Sequence, residues 1–406
     1  MELPAALPHG FRFSAVRAGI KASGNPDLAL IVADVPASAA AMFTNNKVVA
    51  APITIGRRHL ARSSNQVRAL VINAGNANCA TGEQGLAAAV DVCAAAAGIL
   101  GCDAHEIVPS STGVIGVPLP ADRLIAALPS AYDALGDTPE HLLAIARAIM
   151  TTDTKPKVAH GDFSAGGKQV RIAGVAKGAG MIHPQLIPAI PHATMLSFLF
   201  ADVQATPAQL ERVLATAVEA SFNRISIDGD TSTNDTVLLL ASGASGASLA
   251  SQEVAEQFAA VLGAVCTSLA RQIVDDGEGV THVIELDIRG AVHEDDALRV
   301  AKAIAHSPLV KTAWAGSDPN WGRLLAAIGY SGAAVDPAKI AVHFGELPVC
   351  ARGARAADYD EQAAHRYLQQ RALVLHIDLG LGSGRCRFWT TDLTAEYVHI
   401  NADYST

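Results

Sequence analysis

The chain has 406 residues, half of them apolar but only 5% aromatic, and a formal charge of −9. That length supports two or three domains and a large core packed from Ala, Val, Leu and Ile. The acidic balance, with no Lys/Arg cluster, argues against a nucleic-acid or anionic-membrane surface and leaves small molecules as the expected partners.

The six cysteines (Cys79, Cys93, Cys102, Cys266, Cys350, Cys386) show no CxxC or CxxxC spacing. No zinc or other metal site is expected from them, and they read as small buried apolar residues. The start, MELPAALPHG, lacks the basic region and apolar stretch of a signal peptide. Apolar runs elsewhere are short or broken by charge, so no membrane span is expected. These features point to a cytoplasmic protein without a cofactor.

In chain order, LALIVADV (Leu28 to Val35) and VRALVIN (Val67 to Asn73) read as buried strands, with a polar loop, FTNNKVVAAP, between them. A Gly/Asn-dense loop, Ala74 to Gly85, leads through Glu83 and Gln84 into an Ala-rich helix ending near Leu100. PSSTGVIGVP, Pro109 to Pro118, is a stretch able to aim backbone N–H groups at one point, as an oxyanion hole requires. Helical patterns fill Ala121 to Leu128 and Glu140 to Met150. A hairpin is expected around Gly166-Gly167, followed by the strand Gln169 to Ala176. Further helices are expected at Pro207 to Ser221, Gln252 to Val274 and Asp295 to Ala305. Strands are expected at Val237 to Ala241, Thr281 to Ile288, Ile340 to Phe344 and Ala372 to Ile377. Strands and helices mixed without strict βαβ alternation favour an α+β layered sandwich over a doubly wound sheet.

Three apparent motifs fail on spacing. Gly166-Gly167-Lys168 lacks the upstream Gly and following Ser/Thr of a phosphate loop. Gly380, Gly382 and Gly384 are followed by Arg385 where a dinucleotide fingerprint ends in Gly. Asp228, Asp230 and Ser232 open like a calcium loop, but Thr233 and Leu239 occupy its Gly and Glu positions.

The segment from Lys177 to Asp202 organises the rest. Gly178, Gly180, Pro184, Pro188 and Pro191 make an irregular approach to Ala193-Thr194, and an apolar run, Met195 to Phe200, follows as a buried strand. A small residue before a hydroxyl residue leaves the Ala193 carbonyl open to Thr194 Oγ. Such an N-to-O shift, followed by hydrolysis, would free the Thr194 α-amine, whose pKa of about 8 suits a general base. One residue then carries both nucleophile and base. Ala-Thr is a common dipeptide, and taken alone it favours a plain loop-to-strand junction. His183 and His192 flank the position, but no Ser-His-Asp spacing accompanies them.

Several stretches together decide between these readings: GNANCATGEQG, STGVIG, MTTDTKPK, KGAGMIHP, HATML, SFNRISIDGDTSTNDT, DDGEGVT, SDPNWGR and NADYST. In this order, and over nearly the whole chain, they resemble the ornithine acetyltransferase (glutamate N-acetyltransferase, ArgJ) family of arginine biosynthesis. The resemblance implies an N-terminal-nucleophile α/β/β/α-type sandwich, related to the DmpA-like folds, with a smaller C-terminal α/β portion. It implies self-cleavage into an alpha fragment, 1–193, and a beta fragment, 194–406, two copies of each forming a heterotetramer. The chain departs from the family at 187–192, where IPAIPH stands as an insertion directly before Ala193 and bears on the timing of cleavage.

Carried over by motif, the resemblance makes Thr194 the nucleophile and Ala193–Thr194 the scissile bond. It makes Thr112 and Gly113 the oxyanion hole, and Thr154, Lys177, Thr194, Glu278, Asn401 and Thr406 the substrate contacts. The implied reaction moves acetyl from N2-acetylornithine to glutamate through an acetyl-Thr194 ester. Acetyl-CoA is a second donor in part of the family, and no CoA motif decides the matter here. Two alternatives stay open at this level. One is a related amidohydrolase or aminopeptidase that passes the acyl group to water. The other is an uncut amino-acid-binding protein.

Overall fold

The computed structural model describes residues 3–43, 45–188 and 195–403. They divide into a larger unit, residues up to 223 with 231–273, and a smaller one, 224–230 with the chain from 274 onward.

The larger unit is built on a sheet whose strands are Phe11–Val16 (β1), Leu28–Phe43 (β2), Gln66–Asn76 (β3), Ile107–Val114 (β4), Lys157–Ala165 (β5), Lys168–Lys177 (β6), Ile187–Pro188 (β7), Leu196–Ala201 (β8) and Thr236–Ala241 (β10). Among the described residues the strand order is β4-β3-β2-β10-β8-β6-β5, with β1 and β7 also pairing with β2. Its helices are Ala51–Arg62 (α1), Gly82–Leu100 (α2), Ala121–Asp133 (α3), Pro139–Ala148 (α4), Pro207–Glu219 (α5) and Gln252–Asp275 (α6).

Strand periodicity explains why LALIVADV is apolar without interruption. Successive side chains leave a strand on opposite faces. Ala29, Ile31 and Ala33 of β2 join a core with Leu142 and Ile145 of α4. Leu28, Leu30 and Val32 join a second core with Val92 and Cys93 of α2 and Leu124 and Leu128 of α3. Both faces of β2 are therefore covered, as a continuous apolar run requires.

Three local expectations need correction. The strand beginning at Leu28 runs sixteen residues, not eight. Its pairing with β3 shifts register between Val32 and Ala37, which accommodates Pro36. The supposed loop after it ends in α1, which has Pro52 in its first turn and no side-chain cap. Finally, α2 and α6 have the length and apolarity of a membrane span by composition alone. In the fold, α2 buries a face of Ala88, Ala89, Val92, Cys93, Ala96 and Ala97. Gln272 of α6 exchanges both amide hydrogen bonds with the Val158 backbone of β5, at 3.0 and 3.3 Å.

The smaller unit holds a second mixed sheet: Ile225–Ser226 (β9), Val283–Ala291 (β11), Ala341–Phe344 (β12), Leu347–Ala351 (β13), Ala354–Arg355 (β14), Ala372–Asp378 (β15) and Gly384–Thr391 (β16). Its helices are Glu294–Ala305 (α7), Pro308–Ala315 (α8), Trp321–Tyr330 (α9), Glu361–Leu368 (α10) and Ala395–Asp403 (α11). Ile284, Leu286 and Ile288 of β11 pack with Val300 and Ile304 of α7 and Trp314 of α8 in one core. The chain is thus an α+β protein of helices layered on mixed sheets, with the smaller α/β portion at its C-terminal end. Five of the six cysteines are buried, and burial pushes the Cys93 and Cys266 thiols up to about 12.

Candidate active site

The STG sequence lies at the end of a strand and not in a loop. β4 runs parallel to β3, with Thr112 opposite Ala74 and Gly113 opposite Gly75. Gly113 has φ +133°, and a Cβ there would stand 2.3 Å from the Gly75 carbonyl carbon. No residue with a side chain fits so close to the neighbouring backbone.

A cluster of buried asparagines pins this strand end. Ser111 Oγ donates to Asn73 Oδ1 at 2.6 Å, and Asn73 Nδ2 donates to the Asn76 carbonyl at 2.8 Å. Asn234 Nδ2 donates to the carbonyls of Ala77, at 2.6 Å, and Ser111, at 2.8 Å. Asn78 Nδ2 in turn donates to the Gly85 carbonyl at 2.9 Å, which fixes the loop into α2. The Gly/Asn-dense loop and the segment around Asn234 are one hydrogen-bonded support for Thr112 and Gly113.

Lys177, the last residue of β6, reaches the same place. Its Nζ donates to Thr112 Oγ1 at 3.1 Å, and both residues are buried. An ammonium only donates, so the Thr112 oxygen is the acceptor and its hydroxyl hydrogen is free to be given elsewhere. Behind them, Asp153 Oδ1 accepts from Lys157 Nζ at 2.7 Å and from the Gly178 N–H at 2.6 Å. Burial alone would raise the Asp153 carboxyl, but the Lys177 and Lys157 ammoniums outweigh it and hold it at about 2. Asp153 thus balances two buried cations, one of which, Lys177, holds the Thr112 hydroxyl.

Thr154, one residue beyond Asp153, is exposed and lines a cavity of 720 Å³ with Lys21, Arg147, Met150 and Asp153 itself. Lys21 Nζ donates to the carbonyls of Ala148, at 2.7 Å, and Pro26, at 3.0 Å. Burial lowers its pKa, against the opposing pull of Asp27 and Asp153.

Glu278 and Asn401 meet in the smaller unit, where Asn401 Nδ2 donates to Glu278 Oε2 at 2.9 Å. Asn401 lies on α11, an ordered helix where a frayed chain end was the default expectation. Close by in the same unit, the Tyr397 hydroxyl donates to Asp228 Oδ2 at 3.3 Å. Burial, then Asp228 and Glu278, raise the Tyr397 pKa. Lys311 is buried against Thr390 and Thr391, at 3.3 Å from each hydroxyl. Burial brings it down to about 8 despite Asp228 and Asp392.

Ala193, Thr194, His192 and Thr406 lie outside the described residues. Met195, the first described residue after them, is buried, and Leu196 pairs with Lys177 across β6 and β8. His183 is buried, and its carbonyl accepts from Thr231 Oγ1 at 3.0 Å.

A model of the ArgJ family matches residues 12–406. The chain belongs to the ArgJ family. It is 46% identical over 399 residues to the arginine biosynthesis bifunctional protein ArgJ of Geobacter sulfurreducens, covering 98% of this chain and 99% of that one. It is 44% identical to the protein of the same name from Methylococcus capsulatus, over 98% of this chain and 95% of that one. Among solved structures, ArgJ of Bacillus halodurans is similar at 39% identity and a TM-score of 0.48, over 50% of this chain and 96% of that one.

Set beside the ArgJ motifs, the geometry adds residues that the sequence left unassigned. Asp153 and Lys157 sit inside TTDTKPK, and their alternation with Thr154 and Lys155 was the available signal. Asn73 and Asn234 carried none, because the partners of Asn234 lie 157 and 123 residues away in the chain.

Proposed function

We propose that this ArgJ-family enzyme cuts itself between Ala193 and Thr194 and then moves acetyl from N2-acetyl-L-ornithine to L-glutamate through an ester on Thr194. The observation that carries the reading is the Lys177–Thr112 hydrogen bond beside Gly113. It leaves the Thr112 hydroxyl hydrogen to be donated elsewhere, and with the Gly113 N–H as second donor it would form the proposed oxyanion hole.

In this mechanism the freed Thr194 amine takes the proton from its own Oγ as the oxygen attacks the acetyl carbonyl. The Thr112 hydroxyl and Gly113 N–H hold the negative charge that develops on the carbonyl oxygen. Collapse breaks the amide C–N bond, the ammonium of Thr194 returns the proton to the leaving nitrogen, and ornithine departs. The glutamate amine then attacks the ester, loses a proton to the Thr194 amine, and leaves as N-acetylglutamate with Thr194 Oγ reprotonated. Both ends of the exchange are N-acetyl α-amino acids, so no outside energy source is required. In this scheme Thr154, Lys177, Thr194, Glu278, Asn401 and Thr406 are the substrate contacts.

The sheet supports cleavage without disassembly. β2 pairs with β10, and β6 pairs with β8, so strands from 1–193 and 194–406 share one hydrogen-bonded sheet. The proposed assembly is two copies of each fragment, in the cytoplasm. The relatives carry the word bifunctional in their name, and the second activity proposed here is transfer of acetyl from acetyl-CoA to glutamate.

The deciding experiment follows N2-acetylornithine consumption with and without glutamate. The proposal predicts turnover only when glutamate is present, after a single-turnover release of ornithine without it. Continuous consumption in its absence would mean that water takes the acyl group, as in an amidohydrolase.

A further inference from the structure

A second cavity of the larger unit, 350 Å³ in volume, lies between β2, α1 and α5 and shares no lining residue with the site above. Arg57 of α1 and Glu211 of α5 line it, with Ala39, Ala41, Phe43 and Leu60 as apolar wall. The guanidinium carbon of Arg57 stacks over the Phe43 ring at 5.2 Å from the centroid. That contact covers one face of the cation. Its Nε and Nη2 atoms are buried and have no hydrogen-bond partner among the described residues. These two atoms form the edge of the guanidinium that grips a carboxylate with two parallel hydrogen bonds. Burying such donors unpaired is unfavourable, and an anion entering the cavity would relieve it.

Glu211 is exposed and forms no ion pair with Arg57 among the described residues. A carboxylate able to hold a cation and a guanidinium able to hold a carboxylate therefore line one cavity. The volume falls at the lower end of the range usual for small-molecule pockets.

We propose that this cavity binds a small zwitterion of the amino-acid class, its carboxylate on the Nε–Nη2 edge of Arg57 and its ammonium toward Glu211. The cavity shares no lining residue with the described part of the acyl-transfer site, and the proposal stands whether or not that function holds.

The test is equilibrium dialysis of L-valine against the purified protein, the Arg57→Leu variant and the Glu211→Gln variant, each checked for folding by circular dichroism. Isobutyrate, which lacks the amine, is run in parallel. The proposal predicts saturable binding of one L-valine per chain, undisplaced by excess N2-acetylornithine. It predicts an affinity lower by about tenfold or more in Arg57→Leu, given the usual strength of a charged hydrogen-bonded pair. It also predicts weaker binding in Glu211→Gln, weaker binding of isobutyrate, and an unchanged kcat for acetyl transfer in both variants. Displacement by N2-acetylornithine, equal affinity in all three proteins, or no saturable binding would overturn it. Should Arg57→Leu fail to fold, the exposed Glu211→Gln change and the isobutyrate comparison still decide, since equal binding in both would remove the zwitterion.

Discussion

Asp153 is the residue on which the buried charges of the proposed site balance. It accepts from the Lys157 ammonium at 2.7 Å and is held ionised by Lys177 and Lys157, all three residues being buried. Removing one partner of such a group leaves uncompensated charge and costs on the order of 3–5 kcal/mol. Asp153→Asn should therefore lower the unfolding free energy by that order, as measured by urea denaturation at pH 7. The folded-state pKa, about 2, lies below the ordinary 3.8. Its stabilisation is thus complete above about pH 4 and is lost as pH falls through about 2, a change on the order of 2 kcal/mol. The acid limb of the wild-type stability curve should show that loss, and the Asn variant should lack it. Thr112→Val keeps the volume but removes the hydroxyl. It should lower kcat roughly 10²- to 10³-fold with little change in KM, as read from initial rates of ornithine release. A change confined to KM would mean that Thr112 binds the ground state only.

At the scale of elements, the end of β4 owes its shape to chain segments far apart in sequence. Asn234→Ala would leave the buried carbonyls of Ala77 and Ser111 without their donor, at about 1–3 kcal/mol for each group. Gly113→Ala would force a Cβ into the Gly75 backbone. Both variants should melt at lower temperature by calorimetry, and Gly113→Ala should also lose acetyl transfer. The sequence carried part of this picture. STG named Thr112 and Gly113, and DGEG and the tail named Glu278 and Asn401, which the fold joins by a hydrogen bond. It did not show that STG ends a strand, because Ser and Thr are polar yet here are buried against Asn side chains. α1 was hidden for a local reason. Ala50 offers no side-chain cap, and Ile53, Thr54, Ile55 and Gly56 are weak helix formers. Tertiary packing of Ile53 and Leu60 makes it helical. The second half of β2, PASAAAM, is poor in strand formers, and pairing with β10, β3 and β7 makes it strand.

For the whole molecule, the proposed fragments contribute strands to one sheet. Fragments 1–193 and 194–406 would remain joined through β2–β10 and β6–β8. They should elute together in native size exclusion and part only in denaturant; separation under native conditions would contradict this account of the sheet. In the proposed mechanism, backbone cleavage turns Thr194 into both nucleophile and base. The most direct test is denaturing mass spectrometry of the purified protein after brief exposure to N2-acetylornithine without glutamate. The account predicts two polypeptides, the second beginning at Thr194 and heavier by one acetyl group, and a single unmodified chain for Thr194→Ala. A full-length wild-type chain that still turns over, or an acetyl group carried on another residue, would contradict it.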